Sequence, residues 1–137
     1  MSEPRRSSLV FKVGEDRFRP PFGLEEVVVI FGNNPINEVF FRRWGAKKAM
    51  LLATVLEPKE FHGRTIAGFY ALPSNGTLPS GSRLMKDVRT MVGASLQKGE
   101  QVNLQKVFAG RMARVKLKPV GEGADAYAVM DRILGRL

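Results

Sequence analysis

The chain is 137 residues long and 44% hydrophobic, enough for one enclosed core, and it has no cysteine, which excludes disulfides, thiolate nucleophiles and cysteine-ligated metals. Twenty-two Lys and Arg against 13 Asp and Glu leave a formal charge of +9, a self-repulsion that a polyanion or an acidic partner would relieve. No run approaches the roughly 18 uninterrupted apolar residues of a membrane span, and no long apolar stretch follows the charged start, so a soluble cytoplasmic protein with no membrane partner is expected.

Residues 1–8, with Pro4, Arg5 and Arg6, read as a polar arm, and 9–13 (LVFKV) as a short strand. RFRPPFG, 17–23, must be extended, because proline fixes φ and pushes the residue before it out of the helical region. Residues 1–24 are thus expected to form an arm and a Pro/Phe-rich wrapping segment on a domain of residues 25–137, with Phe18 and Phe22 as plugs. The β-branched run 25–31 predicts a central strand, closed by a turn at Gly32, Asn33, Asn34 and Pro35.

The stretch 40–72 carries most of the functional signal. Phe40, Phe41 and Trp44 are interleaved with Arg42, Arg43, Lys47 and Lys48, and an apolar run then leads through a turn at 57–63 to Ile66, Phe69 and Tyr70. This predicts a hairpin of strands 46–56 and 64–72. Side chains alternate along a strand, so Ile66, Tyr70 and Leu72 are assigned to the core and Phe69 to the outer surface, with Tyr70 as the alternative exposed ring. Cations that attract phosphates beside rings that stack on unpaired bases are the chemistry of single-strand binding.

After a loop at 73–81, Ser82 stands as an N-cap. Leu84, Met85, Val88, Met91 and Val92 recur on one face, with Arg83, Lys86, Asp87 and Arg89 on the rest, which predicts a helix over 82–94. A second loop leads to a strand at 111–120. There Ala113, Val115 and Leu117 face one side and Arg114, Lys116 and Lys118 the other, toward water or a polyanion. In the last segment, Tyr127, Val129 and Ile133 fit a strand and Tyr127, Met130, Leu134 and Leu137 a helix; a strand ending in a helical turn is preferred. Phe61-His62-Gly63-Arg64 and Phe108-Ala109-Gly110-Arg111 share the form F-x-G-R, each leading into a strand, with Arg64 and Arg111 then expected on one rim.

The predicted architecture is therefore mainly β: a five-stranded OB-like Greek-key barrel with one helix between strands three and four. On that order over residues 25–134, and on the basic, aromatic segments FFRRWGAKK and GRTIAGFY, the chain resembles small OB-fold single-stranded DNA-binding proteins of phages and mobile elements. The resemblance implies binding of single-stranded DNA, or RNA, with little sequence preference. The acidic C-terminal tail common in bacterial members is absent, so recruitment of partners through one is not implied.

The predicted nucleic-acid-binding residues are Arg42, Arg43, Lys47, Lys48, Arg64, Arg111, Arg114, Lys116 and Lys118 on phosphates, with Trp44 and Phe69 or Tyr70 stacking on bases. Catalysis finds little support. His62 is the only histidine, no G-x-S-x-G elbow occurs, and the glycines form no phosphate loop. No metal or other cofactor is expected. Glu38, Glu57 and Lys59 are the weak candidates for a metal-dependent nuclease. Two non-enzymatic alternatives remain: a module that binds an acidic protein, and a structural component that self-associates into a homo-oligomer.

Overall fold

Period-two alternation of apolar residues dictates most of the structure. In the computed structural model, which describes residues 18–21, 23–41, 45–73, 76–94, 96–123 and 126–137, five strands are formed. They are β1 (Glu26–Phe41), β2 (Ala46–Glu57), β3 (Thr65–Ala71), β4 (Met112–Val120) and β5 (Tyr127–Arg136), with a 3₁₀ turn at Lys59–Phe61. Two helices, α1 (Arg83–Val92) and α2 (Leu104–Phe108), lie between β3 and β4. The arm, the strand expected at 9–13, Phe22, Arg42, Arg43 and Trp44 fall outside the described residues. Among the described residues no helix is long and apolar enough to cross a membrane.

Hydrogen bonds join the strands into a closed ring in the order β1-β2-β3-β5-β4. A ring of five cannot close on antiparallel neighbours alone, and β3 with β5 is the parallel pair. That pair meets only at Gly68 and Met130. Gly68 lets the strands approach closely there: a Cβ on it would lie 3.2 Å from the Met130 Cβ and 3.3 Å from the Met130 carbonyl oxygen, tighter than ordinary contact.

The core fills the ring from inside. On β2, Ala49, Leu51, Ala53 and Val55 point inward, joined by Ile66 and Tyr70 of β3 and by Ala113, Val115 and Leu117 of β4. The inward assignments on β3 and β4 match the sequence alternation, and β2 and β3 match the expected hairpin within a residue or two. Phe18 is buried and packs edge-on against Phe61 at 5.3 Å, the plug its position suggested.

Three expectations need correction. The Gly32–Pro35 segment does not end the first strand; β1 runs through it as a bend. Between the pairs Phe31↔Ala53 and Ile36↔Leu51, four residues of β1 oppose one of β2. Such an insertion re-aims the strand while leaving backbone groups to be satisfied from elsewhere. Gln105 of α2 does this, accepting from the Ile36 N–H at 3.1 Å and donating to the Ile36 carbonyl. The short α2 is the second departure, since only a loop was expected there. Asn103 caps it by accepting from the Lys106 N–H. Third, β5 remains a strand to Arg136, with no closing helical turn.

α1 spans 83–92 with the predicted cap: Ser82 Oγ accepts from the Met85 N–H at 3.2 Å, and Gly93 ends the helix at φ 78°. Ser82→Ala is expected to lower stability by about 1 kcal/mol in chemical denaturation. The buried face differs from the expected one. It comprises Leu84, Asp87, Val88 and Met91, while Val92 is exposed.

Candidate nucleic-acid interface

Because alternate residues of β2 point inward, Lys48, Met50, Leu52 and Thr54 point outward and are half-buried. β3 adds Ala67 and Phe69 to the same face, also half-buried. Register sets two adjacent rows across β1, β2 and β3: Val39, Lys48 and Ala71 in one, and Asn37, Met50 and Phe69 in the next. Rows two residues apart on a strand are about 7 Å apart. An aromatic ring beside a thioether thus lies one row from a cation. Polarizable apolar surface and a nearby positive charge suit a base and its phosphate.

The reverse side of the β1–β2 hairpin carries an exposed ring near its tip. Phe40 is opposite Lys47, in phase with the inward-facing Ala49 and Leu51 and so on the other side of the hairpin from Phe69, yet it is 59% exposed. Its exposure was not legible, because it depends on how far the β1–β2 hairpin projects beyond the ring.

Tyr70 is not available for stacking. It is 4% exposed, and its hydroxyl donates to Asp87 Oδ2 at 2.6 Å. The alternative in which Tyr70 is the exposed ring is corrected in favour of Phe69, because parity turns residue 70 inward beside Ile66. Asp87, assigned from sequence to the polar helix face, is itself 2% exposed; its Oδ1 accepts from the Ile133 N–H at 3.0 Å. Its sequence signal was available: positions 84, 87, 88 and 91 form a single i, i+3, i+4, i+7 stripe. Burial pushes the Asp87 carboxyl above its usual range, against the opposing effects of the Tyr70 and Ile133 hydrogen bonds and the Arg83 charge. Burial, then the charge of Asp87, push the Tyr70 phenol well above its usual value.

The predicted cations do not form one patch. Lys47 is exposed and paired with Glu38 at 3.2 Å, and Lys48 is in the row described above. Arg64 and Arg111 are exposed at the starts of β3 and β4. Arg111 bonds to Phe31, which pairs with Ala53, while Arg64 bonds to Val55 of the same strand. They lie within two residues of one level, yet β3 and β4 run in opposite directions from it. Arg114, Lys116 and Lys118 point outward on β4, across β5 from Phe69 one way and across β1 and β2 the other. Arg114 is paired with Glu26 at 3.3 Å. Such exposed pairs are worth about 0–1 kcal/mol, so a phosphate can displace either carboxylate at little cost.

The acidic residues are not gathered either. Glu38 is opposite Ala49 and Glu57 terminates the same β2, about 27 Å apart at the usual strand rise. Among the described residues no group of three or more His, Asp and Glu side chains is placed to hold a metal ion. The His62 Nδ1 lies 3.3 Å from the Leu56 carbonyl oxygen, within the turn. No protein-family model and no curated protein matches the chain.

Proposed function

We propose that the protein is a non-catalytic binder of single-stranded nucleic acid, DNA favoured over RNA, on an OB-like barrel. The observation that carries this reading is the outward row Asn37–Met50–Phe69 with Lys48 in the next row. The ring order, with helices between the third and fourth strands, supports the OB-like topology, in which the middle strands form the binding face. The charge of +9 supports a polyanionic partner. Arg42, Arg43 and Trp44, in the segment joining β1 to β2, belong to the same reading as phosphate and base contacts.

Fluorescence anisotropy with labelled oligo-dT, a mixed RNA strand and a duplex, at two salt concentrations, tests this directly. Single strands are expected to bind more tightly than the duplex and to be weakened by salt. Phe69→Ala is expected to cost about 1–3 kcal/mol of binding, measured at a temperature where the variant remains folded. Trp44 is the only tryptophan, so its quenching on binding reports a base close to it. Absence of binding at low salt removes the reading and leaves an acidic protein as the partner that explains the charge.

A further inference from the structure

α1 covers the seam where β3 and β5 separate. Past the Gly68–Met130 contact the two strands no longer pair, and side chains of α1 fill the gap. Asp87 ties Tyr70 to Ile133, while Arg83 donates to the Phe69 carbonyl and lies 4.7 Å over the Tyr70 ring. On the solvent side of this seam a cleft is lined by Arg83, Lys86, Thr90, Asp131, Arg132 and Leu134, with buried Asp87 at its floor. Three cations therefore face one accessible carboxylate, since both Asp87 oxygens already accept hydrogen bonds.

The charge continues onto the sheet. Arg132 is directly opposite Lys116 in the β4–β5 register, and Lys116 points outward in line with Lys118. Like charges directly opposite one another destabilise a sheet, and an anion seated over them reverses that cost. Among the described residues neither Lys86 nor Arg132 has an ion-pair partner. Arg83 is by contrast held in place from two sides, so its guanidinium is already oriented at the edge of the Phe69 row.

Resting on the single-strand reading above, we infer that a bound strand leaves the β1–β2–β3 face at Phe69, crosses the seam over Arg83 and seats a phosphodiester between Lys86 and Arg132. From there it runs toward Lys116 and Lys118. The cleft thereby joins the two basic patches that the ring otherwise keeps apart, through three cations outside the predicted set: Arg83, Lys86 and Arg132. Recognition is of the backbone phosphate, so the path favours length over sequence.

The test compares the Lys86→Ser/Arg132→Ser variant with wild type on oligo-dT of about 6 nucleotides and of about 20, longer than the roughly 4–16 covered by one OB barrel. Both residues are exposed. On the long strand the double variant is expected to bind on the order of ten-fold more weakly, with the log–log salt slope shallower by about one phosphate contact or more. On the short strand its affinity is expected to stay within about two-fold of wild type, as backbone contacts beyond the Phe69 face are then absent. A charge-matched control, Lys98→Ser/Lys106→Ser, removes two exposed lysines outside the track and is expected to leave the salt slope unchanged. Equal losses in the two double variants, equal losses on short and long strands, or an unchanged slope on the long strand overturns the path while leaving the Phe69 face standing. Failure of the wild-type protein to bind either length removes the single-strand reading, and the path with it.

Discussion

Replacing Asp87 by Ala is expected to destabilise the fold by about 2–6 kcal/mol, because it strands two buried donors, each worth about 1–3 kcal/mol when left unpaired. The donors are the Tyr70 hydroxyl and the Ile133 N–H, and they belong to the two strands that the ring joins at a single parallel contact. Asp87 therefore supplies bonds that β3 and β5 do not make to each other. Asp87→Asn keeps one acceptor oxygen and is expected to fall between wild type and Ala in a urea melt. Tyr70→Phe leaves the carboxylate buried with one donor fewer, at about 1–3 kcal/mol. If Asp87→Ala costs less than about 1 kcal/mol, the seam is held by packing alone.

The pH dependence follows from the directions of the two shifts. Both groups bind protons more tightly in the folded than in the unfolded state, so stability falls as pH rises wherever the native state holds the extra proton. The Asp87 contribution is full below the usual value of 3.8 and is lost as pH rises through the raised folded value. The Tyr70 contribution is full below 10.0 and is lost as pH climbs through its own raised value. Wild type is therefore expected to lose stability above about pH 10 more steeply than Tyr70→Phe. Parallel alkaline slopes for the two would mean that Tyr70 ionises in the folded protein as readily as in the unfolded chain.

What the sequence disclosed is what local chemistry determines. Ser82 caps α1 because a hydroxyl before an apolar-periodic run has a free N–H to accept from, and that needs no tertiary context. The outward Arg114, Lys116 and Lys118 follow from strand parity alone. What stayed hidden depends on distant partners. Gly32, Asn33, Asn34 and Pro35 have the composition of a turn, and only Gln105, 69 residues after Ile36, lets a strand continue through that bend. β5 was ambiguous because its pairing shifts twice, so Ala128 and Met130 are buried on even positions and Ile133 on an odd one. At the site, parity separated Phe69 from Tyr70 correctly. The cleft of Arg83, Lys86 and Arg132 was not legible, because nothing local places a helix beside the fifth strand.

Phe108→Ala is expected to cost about 3–5 kcal/mol, and its F-x-G-R counterpart Phe61→Ala only about 1–2 kcal/mol, although the two corners share one construction. In each, a helical turn ends at Phe, a glycine follows at positive φ (92° for Gly63, 70° for Gly110), and the Arg N–H donates back to the Phe carbonyl at 3.1 Å. Each Gly–Arg pair also brackets one strand residue. Gly63 N–H donates to the Val55 carbonyl and Val55 N–H to the Arg64 carbonyl; Gly110 and Arg111 do the same with Phe31. The difference is burial. Phe108 is fully enclosed and packs edge-on against Phe31 at 5.3 Å, beneath the β1 bend, whereas Phe61 is half-buried beside Phe18. Truncating Phe108 removes the weight that holds α2, and with it Gln105, against Ile36, so the bend loses its substitute hydrogen bonds as well as its packing. Urea denaturation of the two variants reads the contrast directly, and equal losses would show that the corner geometry, rather than the ring beneath it, sets the cost.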